Sequence, residues 1–436
     1  MVANDAVVKK IYSLVDQIYK KPPAKFIPGK TKIQYSGAFY DGKEVRAMLE
    51  AIFKGWFGLA WCGEELEFKL SSFIGAKSTL LTNSGSSASL LSMSALTNKY
   101  FAGRIEKGSE VITPACTFAT TASSVIHAGM VPVFVDVELG TYNPRPRDIE
   151  AAISKKTKVL FLPHTLGNPN NMDEIMKIVK KYKLYLVEDN CDALGSTYDG
   201  KKTGSFGILA TCSFYPAHHI TLAGEGGAVF INDRRLERII LSLRNWGRGC
   251  WCIGTEKDPN GACGYRFDFK VDGVPIDHKY YFTNLGYNLK PVEIQASMGI
   301  VQLAKYPKMM AKRKANFFHL YKILKRWEKF FILPQSFEKS DPVWFSLPIT
   351  LRGDSPFTRQ AITRFLESKM IETRTVFAGN ITKQPAFYDV KYRKVGSLEN
   401  SDRILSDTFF VGIWPGIGKE ELNYIGDVFN GFLKKY

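Results

Sequence analysis

Ser213-Phe214-Tyr215-Pro216-Ala217-His218-His219-Ile220-Thr221-Leu222-Ala223-Gly224-Glu225-Gly226-Gly227 joins two short β-like runs at residues 208–212 and 228–231. Its polar residues sit in a connection held between strands, where chemistry is usually mounted. Residue by residue, the stretch supplies a hydroxyl, two adjacent imidazoles and a glycine-rich bend that lets backbone approach a ligand. Two surface histidines before a turn explain it equally well, because Gly-x-Gly-Gly alone is a weak signal.

Working outward, β-like runs at 110–114, 131–137, 158–163 and 184–188 alternate with helical patterns at 146–154 and 173–181. That alternation predicts a mostly parallel sheet covered by helices, with ligands gathering beyond the carboxyl ends of the strands. Phe118, His164, Asp189 with Asn190-Cys191-Asp192, and Ser213 fall at those ends. Upstream, residues 42–57 and 64–73 have helical spacing, and Gly75 is a stop for the second helix. The turn Asn83-Ser84-Gly85-Ser86-Ser87 then opens a helix to about Asn98. Free amides and the positive dipole end make such a turn a phosphate seat, an ordinary N-cap being the simpler alternative. Downstream, residues 292–302 and 304–327 read as long helix, followed by a strand near 344–351 and a last helix at 420–433.

The Ser213 stretch resembles the active-site signature of the sugar aminotransferase-like family of fold-type I pyridoxal phosphate enzymes, which runs Ser-Phe, three residues, Lys, then Gly-Glu-Gly-Gly. The resemblance covers residues 36–302 well and the remainder more loosely. It implies an aspartate aminotransferase-like α/β fold, with a large domain built on a mostly parallel seven-stranded sheet and a smaller α/β C-terminal domain. The expected division is an N-terminal helix and arm at 1–32, a large cofactor domain at 33–300 with a cysteine-bearing insertion at 247–282, and a small domain at 301–436. Carried over by motif, Gly85 and Ser86 seat the cofactor phosphate with Ser213 as a second contact. Phe118 stacks on the ring face, Asp189 faces the pyridine nitrogen, and Asp192 stands where relatives hold the ring hydroxyl. Asn288 resembles an asparagine that the neighbouring subunit contributes to the phosphate, which implies a homodimer.

Where the family has its lysine, this sequence has His218. Without that amine the cofactor has no covalent anchor and transamination loses its proton shuttle, although an imidazole still moves a proton. The nucleotide-sugar 3-dehydrases of the family, which use pyridoxamine phosphate and a 2Fe–2S cluster, make the same replacement. Their resemblance implies that CDP-4-keto-6-deoxy-D-glucose is dehydrated at C3 and then reduced by two electrons. Those electrons pass singly from a flavin/iron–sulfur reductase, on the way to the 3,6-dideoxyhexoses of lipopolysaccharide O-antigens. The rivals are an aminotransferase served by another lysine such as Lys201 or Lys202, a cluster-free dehydrase, and a catalytically inactive binding relative.

The chain has seven cysteines. Cys62, Cys116 and Cys212 sit among apolar residues and read as small buried hydrophobes. Cys250, Cys252 and Cys263 lie in a glycine-rich, turn-prone stretch, and Cys191 follows the Asp189 pair. Four thiolates suit either a 2Fe–2S cluster or a tetrahedral zinc by spacing, and the Cys-x-Cys step resembles the cluster pattern of the dehydrases. A net charge of +17 would suit nucleic acid, an anionic membrane or phosphorylated small molecules, but with no basic run it reads first as a diffuse solvated surface and least as a nucleic-acid face. The absence of a signal-type apolar core and of membrane-length apolar runs predicts a cytoplasmic protein with reduced thiols and no membrane partner. In the C-terminal part, Arg374 within Glu372-Thr373-Arg374-Thr375-Val376-Phe377 resembles a substrate-facing segment, with a surface carboxylate as its simpler partner.

Overall fold

Short aliphatic runs closed by turn residues build the central sheet. They are β1 (Ser78–Thr82), β2 (Glu110–Pro114), β3 (Val131–Val135), β4 (Thr157–Pro163), β5 (Tyr185–Asp189), β6 (Leu209–Ser213) and β7 (Gly227–Ile231). The computed structural model describes residues 6–20, 25–250 and 266–436. The sheet has eight strands in the order β1-β7-β6-β5-β4-β2-β3, followed by the short strand Arg393–Lys394 from the C-terminal part. Pairs from β6 to Arg393–Lys394 are parallel, and β7 is antiparallel to both β6 and β1. Helices cover both faces, so strands such as β2 and β7 are buried along their whole length instead of alternating.

The eighth strand lay outside the sequence expectation because two residues carry no periodicity. Its anchor is a side chain: Arg393 forks onto Glu110, with Nε to Oε1 at 3.0 Å and Nη2 to Oε2 at 2.7 Å. That guanidinium holds the Glu110 carboxyl below its ordinary range.

Local signals explain the helix ends. Asp41 caps the helix Gly42–Phe53 in a capping box with Glu44, and Gly75 ends the helix Trp61–Ile74 at a left-handed φ of 84°. The 32-residue helix Glu293–Leu324 crosses the expected boundary between residues 300 and 301 without a break. Its first residue turns back to the helix Trp61–Ile74, where the Glu293 carboxyl accepts the amides of Ala60 at 2.7 Å and Cys62 at 2.6 Å. A carboxyl there meets the positive end of the helix dipole. The far end leads to a four-stranded antiparallel sheet, ordered Phe331–Ile332, Leu347–Leu351, Thr408–Val411 and Thr373–Arg374. An aromatic core including Phe317, Trp344, Phe345, Phe410 and Phe429 fills the space behind it.

One buried carboxyl ties segments at the carboxyl ends of the large sheet together. Glu188, on β5 and 1% exposed, accepts the amides of Gly204, Phe206 and Gly207, each at 2.7 Å. His164, just past β4, lies with Nε2 2.9 Å from Glu188 Oε2, while its Nδ1 meets the amide of Asn170 at 3.1 Å. An amide can only donate, so Nδ1 accepts and Nε2 carries the hydrogen bonded to Glu188. We predict that Glu188→Ala, which leaves three amides and one imidazole N–H without an acceptor, lowers unfolding free energy by about 3–5 kcal/mol. Urea denaturation measures this, and a loss under about 1 kcal/mol, the size of one ordinary hydrogen bond, contradicts it.

Candidate active site

The carboxyl ends of β2, β4, β5 and β6 open into a cavity of about 700 Å3. Gly85, Ser86, Phe118, Asp189, Asp192, Ser213, His218, Cys191 and Arg374 all line it. Asn288 does not: it is exposed on the surface, bridged to Asn245, and its Oδ1 accepts Lys290 Nζ at 3.0 Å.

The candidate phosphate seat lies at the start of the helix Gly85–Leu96. Ser84 takes the Ser87 amide on its side chain at 3.1 Å and the Ala88 amide on its carbonyl at 3.1 Å, which leaves the Gly85 and Ser86 amides for a ligand. A Cβ on Gly85 would stand 2.6 Å from Ser213 Cβ, so glycine lets the helix start touch the end of β6. Ser86 Oγ donates to Thr120 Oγ1 at 3.4 Å, adding a second hydroxyl at the cavity wall.

Asp189 ends β5, and its carboxyl accepts Thr121 Oγ at 2.7 Å and the Cys191 amide at 3.2 Å. Phe118 is 54% exposed although it packs edge-on against Phe377 at 6.3 Å between ring centroids. A large aromatic left bare over a cavity floored by a carboxyl and backed by free helix amides fits a flat, cationic, phosphate-bearing ring. Pyridoxal or pyridoxamine phosphate has that shape and charge pattern.

His218 stands on the same wall, its Nδ1 3.3 Å from Asp192 Oδ1 and its ring 5.5 Å from that of Phe345. Among the described residues no lysine lines the cavity. Lys201 and Lys202 lie over the rings of Phe206 and Phe73, neither of which lines it. Lys290 sits 3.3 Å over Trp246, and burial together with Arg244 and Arg248 pushes its pKa down to about 7, but it too is outside the cavity. Sequence reasoning missed Tyr35, Tyr215, Glu225, Phe345, Phe377 and Phe410 on the cavity wall. Tyr215 and Glu225 lie within the Ser213 stretch itself and Phe377 within the segment 372–377; Tyr35, Phe345 and Phe410 come from distant segments with no local signal. Arg374 stacks over Tyr35 at 4.8 Å and pairs with Glu372 at 2.6 Å, so its guanidinium is held at the wall by a carboxylate.

The cysteines fall in separate settings. Cys191 lines the cavity, and burial followed by the nearby Asp189 raises its thiol pKa well above the ordinary value. Cys250 is buried with Sγ 3.6 Å from His278 Nε2. Cys252 and Cys263 lie outside the described residues. Among the described residues no group of three or more histidine, cysteine or acidic side chains is placed to hold a metal ion. Burial pushes Cys62 and Cys116 up to about 12, consistent with inert packing thiols. Among the described residues no helix is long and apolar enough to cross a membrane.

Residues 40–430 match the profile of the DegT/DnrJ/EryC1/StrS aminotransferase family. The chain is similar to the lipopolysaccharide biosynthesis protein RfbH of Salmonella typhimurium, 44% identical over 99% of both chains. It is also similar to dTDP-4-dehydro-2,6-dideoxy-D-glucose 3-dehydratase of Saccharopolyspora spinosa, 44% identical over 99% of this chain and 93% of the other. Among solved structures, GDP-4-keto-6-deoxymannose-3-dehydratase (ColD), as a histidine variant with bound GDP-perosamine, superposes with a TM-score of 0.82 at 27% identity, covering 91% of this chain and 99% of that one. The E. coli GDP-4-keto-6-deoxy-D-mannose-3-dehydratase with bound hydrated PLP gives 0.81 at 26% identity, covering 91% and 99%. The architecture is accordingly that of fold-type I pyridoxal phosphate enzymes.

We predict that Gly85→Ala, by separating the helix start from Ser213, weakens pyridoxal phosphate binding about tenfold, or ~1.4 kcal/mol. The added methyl should also cost about 1–3 kcal/mol of stability. Cofactor titration followed by fluorescence reads the first effect, and unchanged affinity would remove this turn from the phosphate site.

Proposed function

This chain belongs to the DegT/DnrJ/EryC1/StrS aminotransferase family, and from that premise we propose that it is a nucleotide-sugar 3-dehydrase rather than a transaminase. The single observation that carries the reading is His218 in a cofactor-shaped cavity where, among the described residues, no lysine is present. The dehydratase names of relatives over nearly the full chain support the same direction.

Pyridoxamine phosphate, when bound, supplies an amine that engages a sugar ketone and a protonated ring that withdraws electrons. The protein does the rest. Amides of Gly85 and Ser86 with the hydroxyls of Ser86 and Ser213 hold the phosphate, and Asp189 keeps the ring nitrogen protonated through its negative charge. Phe118 covers one ring face. His218 takes the proton at C4', with the Asp192 carboxyl 3.3 Å from its Nδ1 to bias the orientation of the imidazole. Phe345 and Phe410 on the cavity wall exclude water from that exchange.

The substrate we assign is CDP-4-keto-6-deoxy-D-glucose, dehydrated at C3 in cytoplasmic 3,6-dideoxyhexose synthesis for lipopolysaccharide O-antigens. The protein is thereby read as a CDP-6-deoxy-L-threo-D-glycero-4-hexulose 3-dehydrase. The lipopolysaccharide name of one 44% relative supports the pathway, whereas cytidine rests on motif resemblance, since other relatives are named for dTDP and GDP sugars. Cys191, Cys250, Cys252 and Cys263 are assigned to a 2Fe–2S cluster, a carrier of single electrons from a flavin/iron–sulfur reductase. In the working homodimer Asn288, exposed and away from its own cavity, would reach the neighbour's cofactor phosphate.

Two outcomes test this assignment. His218→Lys should acquire pyridoxal phosphate that borohydride fixes covalently, with dehydration of the 4-keto sugar reduced at least about hundredfold, the scale of a lost positioned base. Fixation of cofactor to the parent protein would overturn the histidine assignment. Cys252→Ser should lose iron, acid-labile sulfide and the brown absorption of anaerobically purified protein, yet keep exchange of the C3 hydroxyl with oxygen-18 water. Reduction at the parental rate in that variant excludes the cluster as electron route and favours a cluster-free dehydrase.

A further inference from the structure

His219 follows the proposed base directly in sequence but occupies a different world. It is 2% exposed and does not line the 700 Å3 cavity. Its Nε2 lies 2.9 Å from the carbonyl of Val343, an acceptor only, so that nitrogen carries the hydrogen. Its ring rests between Tyr306 at 6.2 Å and Phe345 at 6.4 Å. Burial, reinforced by the positive charge of Arg313, pushes its pKa well below the ordinary histidine value, so it stays neutral at neutral pH. A neutral imidazole that is shut off from the cavity and already donating one bond is no second base.

What His219 grips is a strut. Residues 343–346 are buried throughout and connect the small sheet to the cavity wall. The Val343 amide donates to Ser196 Oγ at 2.9 Å, the Phe345 amide to the Leu166 carbonyl at 2.7 Å, and Arg313 Nη1 to the Phe345 carbonyl at 2.6 Å. Gly167 makes room for the strut: a Cβ there would lie 2.2 Å from the Val343 carbonyl oxygen, and its φ of +92° also requires glycine. The side chain delivered by this strut is Phe345, whose ring meets the His218 imidazole at 5.5 Å and forms part of the cavity wall.

We infer that His219 is a positioning residue for His218: its bond to the Val343 carbonyl fixes the strut that carries Phe345, and the Phe345 ring sets the orientation in which the His218 imidazole faces the cavity. The inference rests on the reading of His218 as the group that moves the proton. A histidine that merely fills the core would influence stability alone. A positioning one influences the proton-transfer rate at nearly constant binding, because a misplacement of about 1 Å costs up to about hundredfold in rate.

The test compares His219→Phe, which keeps a ring and loses the donor, with His219→Gln, whose amide reaches toward the same carbonyl. In the dimeric, cofactor-loaded protein, His219→Phe should slow solvent exchange of the C4' proton of pyridoxamine phosphate by about tenfold to hundredfold. Cofactor affinity and KM for the 4-keto sugar should stay within about threefold, well inside the ~1.4 kcal/mol of a tenfold change, and His219→Gln should recover most of the rate. Histidine side-chain NMR of the cofactor-free protein should show the ring-current shift of His218 changed in His219→Phe and restored in His219→Gln. Parental exchange and an unmoved His218 resonance in a folded His219→Phe overturn the inference. If His219→Phe does not fold, Phe345→Leu must produce the same exchange defect, and a parental rate there overturns it equally. Should the parent itself show no C4' exchange, the dehydrase reading fails, while the NMR comparison still decides whether His219 positions His218.

Discussion

The buried carboxyl of Glu188 is the constraint on which the active end of the sheet depends. Four donors converge on it, from the segment after β4 through His164 and from the turn that leads into β6 through Gly204, Phe206 and Gly207. A carboxyl removed from water requires such company, because each missing partner leaves a desolvated charge. Successive side chains on a strand point to opposite faces, so locking Glu188 also sets the direction of Asp189. One residue of the Glu-Asp pair therefore fixes the scaffold and the next enters the cavity. Backbone ladders space β4, β5 and β6, and the Glu188 tie fixes the segments that adjoin them, His164 after β4 and Gly204, Phe206 and Gly207 before β6.

Much of this was legible in the chain because the relevant signals are local. Strands covered on both faces announce themselves as apolar runs, and Gly75, Asp41 and the Ser84-Gly85 turn mark helix ends by conformational or capping chemistry. The residues picked from strand ends meet in one cavity because parallel connections deliver every such end to the same edge. The missing wall was illegible for the converse reason. Tyr35, Phe345, Phe377 and Phe410 are ordinary aromatics in their own neighbourhoods and reach the cavity only through packing of the second sheet. Phe377 carries a faint mark, a left-handed φ of 46°, but that becomes visible only after folding. The strand Arg393–Lys394 belongs to the same class, since its place follows from the Arg393 fork onto a strand far earlier in the chain.

Electrostatics divides the chain along similar lines. The charge of +17 spreads over a surface whose ion pairs are mostly exposed and individually weak. The interior cations are different: Arg244 is pinned by Glu67 at 2.8 Å, and Arg313 is buried against the Phe345 carbonyl with its pKa lowered to about 10 by burial. Arg313 also exerts its field on His219 and Asp192. A fixed positive charge behind His219, added to its burial, favours the neutral imidazole. That is the state in which His219 donates to the Val343 carbonyl.

Replacing a lysine by His218 shifts the burden of cofactor retention onto noncovalent contacts. A covalent link would hold the ring in place whatever the quality of its phosphate seat; without it, affinity and orientation must come from the helix amides, Asp189 and the aromatic cover. The candidate seat is closely packed, with Gly85 pressed against Ser213 and Gly227 against the Ser84 carbonyl, at positions where a Cβ would stand 2.6 Å and 2.4 Å from its neighbours. The replacement also changes what the base needs. An imidazole that never bonds the cofactor depends on its surroundings for its aim. On the proposed reading of His218, the Asp192 carboxyl near one nitrogen and Phe345 against the ring supply that aim. If His218 is the base, as proposed, the chemistry of this site depends on the Asp192 carboxyl and on the strut that carries Phe345.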